Sequence, residues 1–261
     1  MRHHEDTLAE FVAAVRADPE SLAVVAVGSV ARGTERPDSD VDVYLVVTDD
    51  QFARAGEQNR LSYVRRDVAT YPDGYVDVKL ATLSYLEAAV ERGDDPVRAS
   101  FVRARVVWSC VADLADLVAR IPLLPDGVWE ARAASFIAQV RLYGGYFLPQ
   151  AGKLGNVFLR HHAAVHLVNA AGRALLAHHR VLFRGPKYLE ETLRALDPLP
   201  EDHLGHAARL LADPTPEAGA ALMASLEAFH PWPLAREETL SVFVRDNELA
   251  WLTGTPPPEF S

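Results

Sequence analysis

Gly28 to Val47 reads GSVARGTERPDSDVDVYLVV, and this stretch decides how the chain is organised. One apolar run, LAVVAVG, is closed by the Gly28-Ser29 pair, and at the start of a second, VDVYLVV, Asp40 just before it and Asp42 within it alternate with valine. Successive side chains of a strand point to opposite faces, so two acids two positions apart share a face. Their carboxylates can close on one cation. Magnesium is the ion expected, because it takes hard oxygen ligands and usually sits between one or two carboxylates and the phosphates of a substrate. A third acid, Asp77, lies in another short β-branched run, YVDVKLAT, and is expected to complete the site.

A Gly-Ser turn, a spacer of this length, an Asp-x-Asp strand and a later strand acid resemble the nucleotidyltransferases of the DNA polymerase beta superfamily. The resemblance covers roughly the first 110 residues. Within it, GSVARG followed by SDVDV looks most like the small-molecule branch, the aminoglycoside and lincosamide nucleotidyltransferases. The resemblance implies transfer of a nucleoside monophosphate from an NTP, with ATP as the default donor, to an acceptor hydroxyl, with pyrophosphate leaving. It also implies Mg²⁺, with Mn²⁺ as the alternative ion, held by Asp40, Asp42 and Asp77. The third acid in relatives either ligates metal or accepts the proton of the attacking hydroxyl, and both roles stay open for Asp77.

The same resemblance gives the spacer its role. Gly28 has no Cβ to keep backbone away from a phosphate, and the Ser29 hydroxyl and nearby amides can donate to phosphate oxygens. Ser39 is expected to do likewise, and Arg32 to neutralise the triphosphate. In the second half, LFRGPKYLEETL resembles a segment of two-domain bacterial relatives in which a lysine after a turn starts a helix. This implies that Lys187 reaches the nucleotide phosphates, with the acceptor bound between the two domains. Asp77 and Lys79 also share a strand face, so an ion pair between them is the competing reading of that acid.

Organisation follows the hydrophobic period. Leu8, Phe11, Val12 and Val15 mark an amphipathic helix. Strands are predicted over 22–28, 41–47, 76–81 and 106–109, with helices from Asp49 or Asp50 toward Gln58, over 84–91 and over 113–120. From IPLLPDG at Ile121–Gly127 the texture changes, since two prolines and a glycine within seven residues mark a boundary. Long helical pattern follows at 129–148 and 154–179, with Pro149 and Gly152 interrupting between the two. Further helices are predicted at 187–196, 202–211 and 217–229, and an extended tail at GTPPPEFS. The expected architecture is an α/β (α+β) nucleotidyltransferase domain with a mixed sheet at 1–121, then an all-helical bundle at 127–261.

Composition sets the remaining bounds. A surplus of 36 acids over 26 bases gives a net charge of −10, which weighs against a nucleic-acid partner and suits a cationic small-molecule acceptor. No run of 18 apolar residues suggests a membrane span, and MRHHEDTLAEF places acids where a signal peptide needs an apolar core, so a cytoplasmic location is expected. The single cysteine, Cys110, fits a reducing compartment and is expected to be a small buried side chain. Modification of a protein or RNA end is the alternative within the same chemistry. A non-catalytic nucleotide-binding relative, a sensor or antitoxin-like partner, is the alternative from another class.

Overall fold

The computed structural model describes residues 1–258 and divides into two compact units, Met1–Leu123 and Leu124–Ser261. Of the predicted tail, Glu259 to Ser261 lie outside the described residues.

The first unit is built on a five-stranded mixed sheet. Its strands are β1 (Ser21–Ala26), β2 (Val41–Val47), β3 (Ser62–Arg65), β4 (Val76–Ala81) and β5 (Arg105–Ser109), in the spatial order β3-β4-β2-β1-β5. β2 runs parallel to β4, and the other three pairings are antiparallel. The apolar runs read from the sequence form the two central strands. Both faces of these strands are covered, so β1 and β2 are buried almost throughout. One face packs on α1 (Arg2–Val15) through Leu8, Phe11 and Val15. The other packs through Ala23, Val25, Tyr44 and Val46 on Leu86, Phe101, Leu114 and Val118. These come from α4 (Leu83–Arg92), the turn after α5 (Asp95–Ser100), and α6 (Leu114–Arg120).

Several boundaries differ from the sequence reading, each for a local reason. The first strand stops at Ala26, and Gly28–Arg32 is the short helix α2 rather than part of an open loop; Gly33, with a φ of 72°, ends it. Thr48, not Asp49 or Asp50, caps α3 (Asp49–Glu57) by accepting from the Gln51 N–H at 3.3 Å, and the two aspartates occupy the first turn. β3 was hidden in the sequence because its short edge run, SYVR, lies among arginines and is only half-buried at alternate positions. Cys110 is exposed, contrary to expectation, because it follows the last residue of edge strand β5 rather than entering the core.

The second unit is helical. Its long elements are α7 (Asp126–Leu142), α8 (Leu148–Leu154), α9 (Val157–His178), α11 (His203–Ala212) and α12 (Pro216–Phe229), with short α10 (Leu189–Arg194), α13 (Thr239–Phe243) and α14 (Ala250–Thr253). α7 and α9 pack along one another, and the alanines of α9 at 163, 164, 170, 171 and 174 are buried, small side chains that let the backbones come close. Pro149 and Gly152 do not break the helix. A π-helical turn, Tyr143–Phe147, precedes α8, and Pro149 then falls in the first turn of a new α segment, where its missing N–H is tolerated. The break comes later, at Gly155 with a φ of 62°, and Asn156 caps α9 by accepting from the Leu159 N–H at 3.0 Å. Among the described residues no helix is long and apolar enough to cross a membrane.

Candidate active site

The register of the parallel ladder brings the acids together. Asp42 on β2 pairs with Asp77 on β4 as direct neighbours, and Asp40 precedes Asp42 by two residues. Burial first, then the negative charge of Asp40 and more weakly that of Asp77, raise the Asp42 carboxyl to about 6 against the opposing charges of Lys79 and Arg32. The three acids are therefore close enough to sense one another, and each is half-buried. Among the described residues, no three His, Cys, Asp or Glu side chains are drawn together into a ready metal cage. The donor set nevertheless fits magnesium in kind. It is all carboxylate oxygen, and a cation would offset both the burial and the carboxylate repulsion that hold Asp42 above its usual range.

Gly28 stands against this cluster. Its φ is 68°, and a Cβ there would fall 2.0 Å from Asp42 Oδ2, so only glycine lets the Asp42 carboxylate lie against the backbone that opens α2. Ser29 and Arg32 follow within the same short helix, which starts directly after β1. The positive charge of Arg32 is felt at Asp42. The Ser39 hydroxyl accepts from the Arg36 N–H at 2.9 Å and so closes the spacer into a turn; a hydroxyl that accepts can still donate its own proton. Lys187 belongs to the helical unit. It lies exposed in the 3₁₀ turn Pro186–Tyr188, with Nζ 5.2 Å from the centroid of the Tyr188 ring.

The structure adds residues that the sequence reading missed. The segment YPDGY supplies Tyr71, whose hydroxyl donates to the Ser39 carbonyl at 2.6 Å, and Tyr75, whose carbonyl accepts from the Val41 N–H at 3.1 Å. Hydrogen bonding and the negative charge of Asp40 push the Tyr75 hydroxyl pKa up, which places that phenol at the first acid of the motif. From α1, His4 Nε2 lies 3.0 Å from the same Ser39 carbonyl. One signal was available: His4 continues the buried stripe of Leu8, Phe11 and Val15 one turn toward the N-terminus, a core position for a polar side chain.

Residues 8–103 match the family model of a nucleotidyltransferase domain. The match spans β1 through α5 and so includes Gly28, Ser29, Arg32, Ser39 and the three aspartates, while Lys187 lies outside it. A nucleotidyltransferase-like protein from Exiguobacterium sibiricum, of known crystal structure, is 15% identical. That alignment covers 93% of this chain and 77% of the other, with a TM-score of 0.48. No curated protein matches the chain.

Proposed function

We propose that the chain transfers a nucleoside monophosphate, AMP from ATP by default, to a hydroxyl of a small-molecule acceptor. The observation that carries this reading is the pairing of Asp42 with Asp77 across the parallel ladder, with Asp40 two residues away and Gly28 pressed against the Asp42 carboxylate. Asp40, Asp42 and Asp77 would hold Mg²⁺, which when bound neutralises charge on the phosphate oxygens. In the reaction the acceptor oxygen bonds to the α-phosphorus, the bond from that phosphorus to the β-phosphate oxygen breaks, and pyrophosphate leaves. The acceptor proton passes to one of the carboxylates. Gly28 lets backbone approach the triphosphate, Ser29 and Ser39 donate to its oxygens, and Arg32 brings positive charge to the same side. A surface of net charge −10 suits a cationic acceptor.

The test is incubation of the protein with each NTP, Mg²⁺ and a panel of hydroxylated cationic small molecules, followed by mass spectrometry. An acceptor carrying one added nucleotide, with an equal amount of pyrophosphate, is the expected result. Tight NTP binding with neither product under any acceptor would favour the non-catalytic nucleotide-binding alternative.

A further inference from the structure

The peptide between Ser39 and Asp40 is held more firmly than a surface loop requires. A carbonyl oxygen has two lone pairs, and at Ser39 two side chains remote in sequence face it: the Tyr71 hydroxyl at 2.6 Å and His4 Nε2 at 3.0 Å. Since a carbonyl only accepts, His4 donates through Nε2, and its Nδ1 is left as a bare acceptor. That Nδ1 is buried without a hydrogen-bond partner, and His4 is fully buried. An orphaned buried acceptor is destabilising, because it gives up its bond to water and gains none in return. An apolar residue at position 4 would continue the stripe of α1 without that cost, so packing alone does not account for the histidine.

The surroundings hold both donors in place. The His3 and His4 rings lie 4.7 and 5.0 Å from the Tyr71 ring, and His3 Nε2 reaches the Pro37 carbonyl at 3.1 Å. Thr7 of α1 accepts from the Thr70 N–H at 3.0 Å, while the Thr70 hydroxyl donates to the His3 carbonyl at 2.9 Å. A Cβ on Gly74 would fall 2.6 Å from the Tyr71 ring, so the turn that carries Tyr71 folds tightly over it. Immediately downstream, the Val41 N–H donates to the Tyr75 carbonyl.

We propose that His4 and Tyr71 form a positioning clamp on the Ser39 carbonyl, which fixes the peptide plane before Asp40 and so aims Asp40 and Asp42 at the cation and nucleotide. The proposal rests on the nucleotidyl-transfer reading for its consequence in catalysis, but the clamp itself is a matter of local geometry. Neither residue touches the reacting atoms. Each acts through the backbone that carries the acids.

Three variants of the full chain test it. His4→Leu keeps the apolar stripe but removes the donor, Tyr71→Phe removes only the hydroxyl, and His4→Gln keeps a side-chain N–H near the position of Nε2. Amide hydrogen exchange over residues 34–42 is expected to speed up about fivefold in His4→Leu and Tyr71→Phe, the size of effect that follows from one lost hydrogen bond, and to return toward wild type in His4→Gln. With ATP present, the Mn²⁺ or Mg²⁺ concentration at half-saturation should rise by a similar factor in the first two variants, with the loss falling on that midpoint and on KM more than on kcat. Exchange over 34–42 that is unchanged in both variants overturns the clamp. Faster exchange with an unchanged metal midpoint overturns its role in aiming the acids and leaves a purely structural contact. A wild-type protein that shows no metal-dependent nucleotide binding overturns the functional reading instead, and the exchange comparison then still decides whether the clamp exists.

Discussion

Burial and the charges of Asp40 and Asp77 hold the Asp42 carboxyl near 6 against an ordinary value of 3.8, so the folded protein keeps a proton that the unfolded chain has already released between those pH values. The stability this gives is fully present below the unfolded value and is lost as pH rises through about 6. Asp42→Asn should therefore stabilise the metal-free protein at pH 8 by about 1–2 kcal/mol, allowing for the solvent that reaches a half-buried group, and the gain should vanish near pH 4. Urea denaturation in EDTA at the two pH values measures it, and a variant less stable than wild type at pH 8 contradicts the electrostatic account. The same substitution should cost more than about a hundredfold in transfer, about 2.7 kcal/mol of barrier. Gly28→Ala is expected to fail differently. With a φ of 68° and a carboxylate oxygen where the new Cβ must go, it should lose about 2–4 kcal/mol of stability along with activity, read as a lowered Tm and a raised KM for NTP.

At the scale of elements, Arg98 on α5 joins the end of α4 to the end of the first unit. It is 2% exposed and donates to the carbonyls of Gly93 at 2.7 Å, Val90 at 2.9 Å, Ile121 at 2.6 Å and Leu123 at 3.2 Å. A lysine has no fork to span these acceptors, so Arg98→Lys should destabilise the protein by about 2–4 kcal/mol, measured as a shift of the denaturation midpoint without change of slope. Nothing in the sequence marked Arg98, because its partners are backbone oxygens that only the fold gathers. The central strands were legible for the opposite reason: continuous apolar runs and an Asp-x-Asp alternation are local patterns, and they sufficed for a mixed sheet followed by helices. The pairing of Asp42 with Asp77 was legible as a shared chemistry but not as a register, since register depends on which strand β4 joins. His4 was legible only as a polar residue on the buried stripe of α1, and what it and Tyr71 hold was not, because each acts on the backbone of a residue more than thirty positions away. Likewise, the π-helical turn at Tyr143–Phe147 overrode the usual reading of Pro149 as a helix breaker.

Across the whole molecule a net charge of −10 and three neighbouring carboxylates oppose the approach of a polyphosphate. ATP should bind at least about tenfold more weakly in EDTA than in millimolar Mg²⁺, a difference of about 1.4 kcal/mol that calorimetry resolves. Equal affinity in the two buffers would count against the arrangement of acids. The parallel ladder between β2 and β4 has a kinetic consequence as well. Its strands cannot be joined by a tight hairpin, and the chain between them must first lay down α3 and β3. Such non-local closure has to overcome loop entropy before its contacts reward it, so Asp42 should meet Asp77 only after the antiparallel pairing of β1 with β2 has formed. Conservative truncations on β4, such as Val76→Ala and Val78→Ala, should then speed unfolding while hardly slowing folding, the mark of an acid-bearing face that is the last part of the domain to assemble and the first to open.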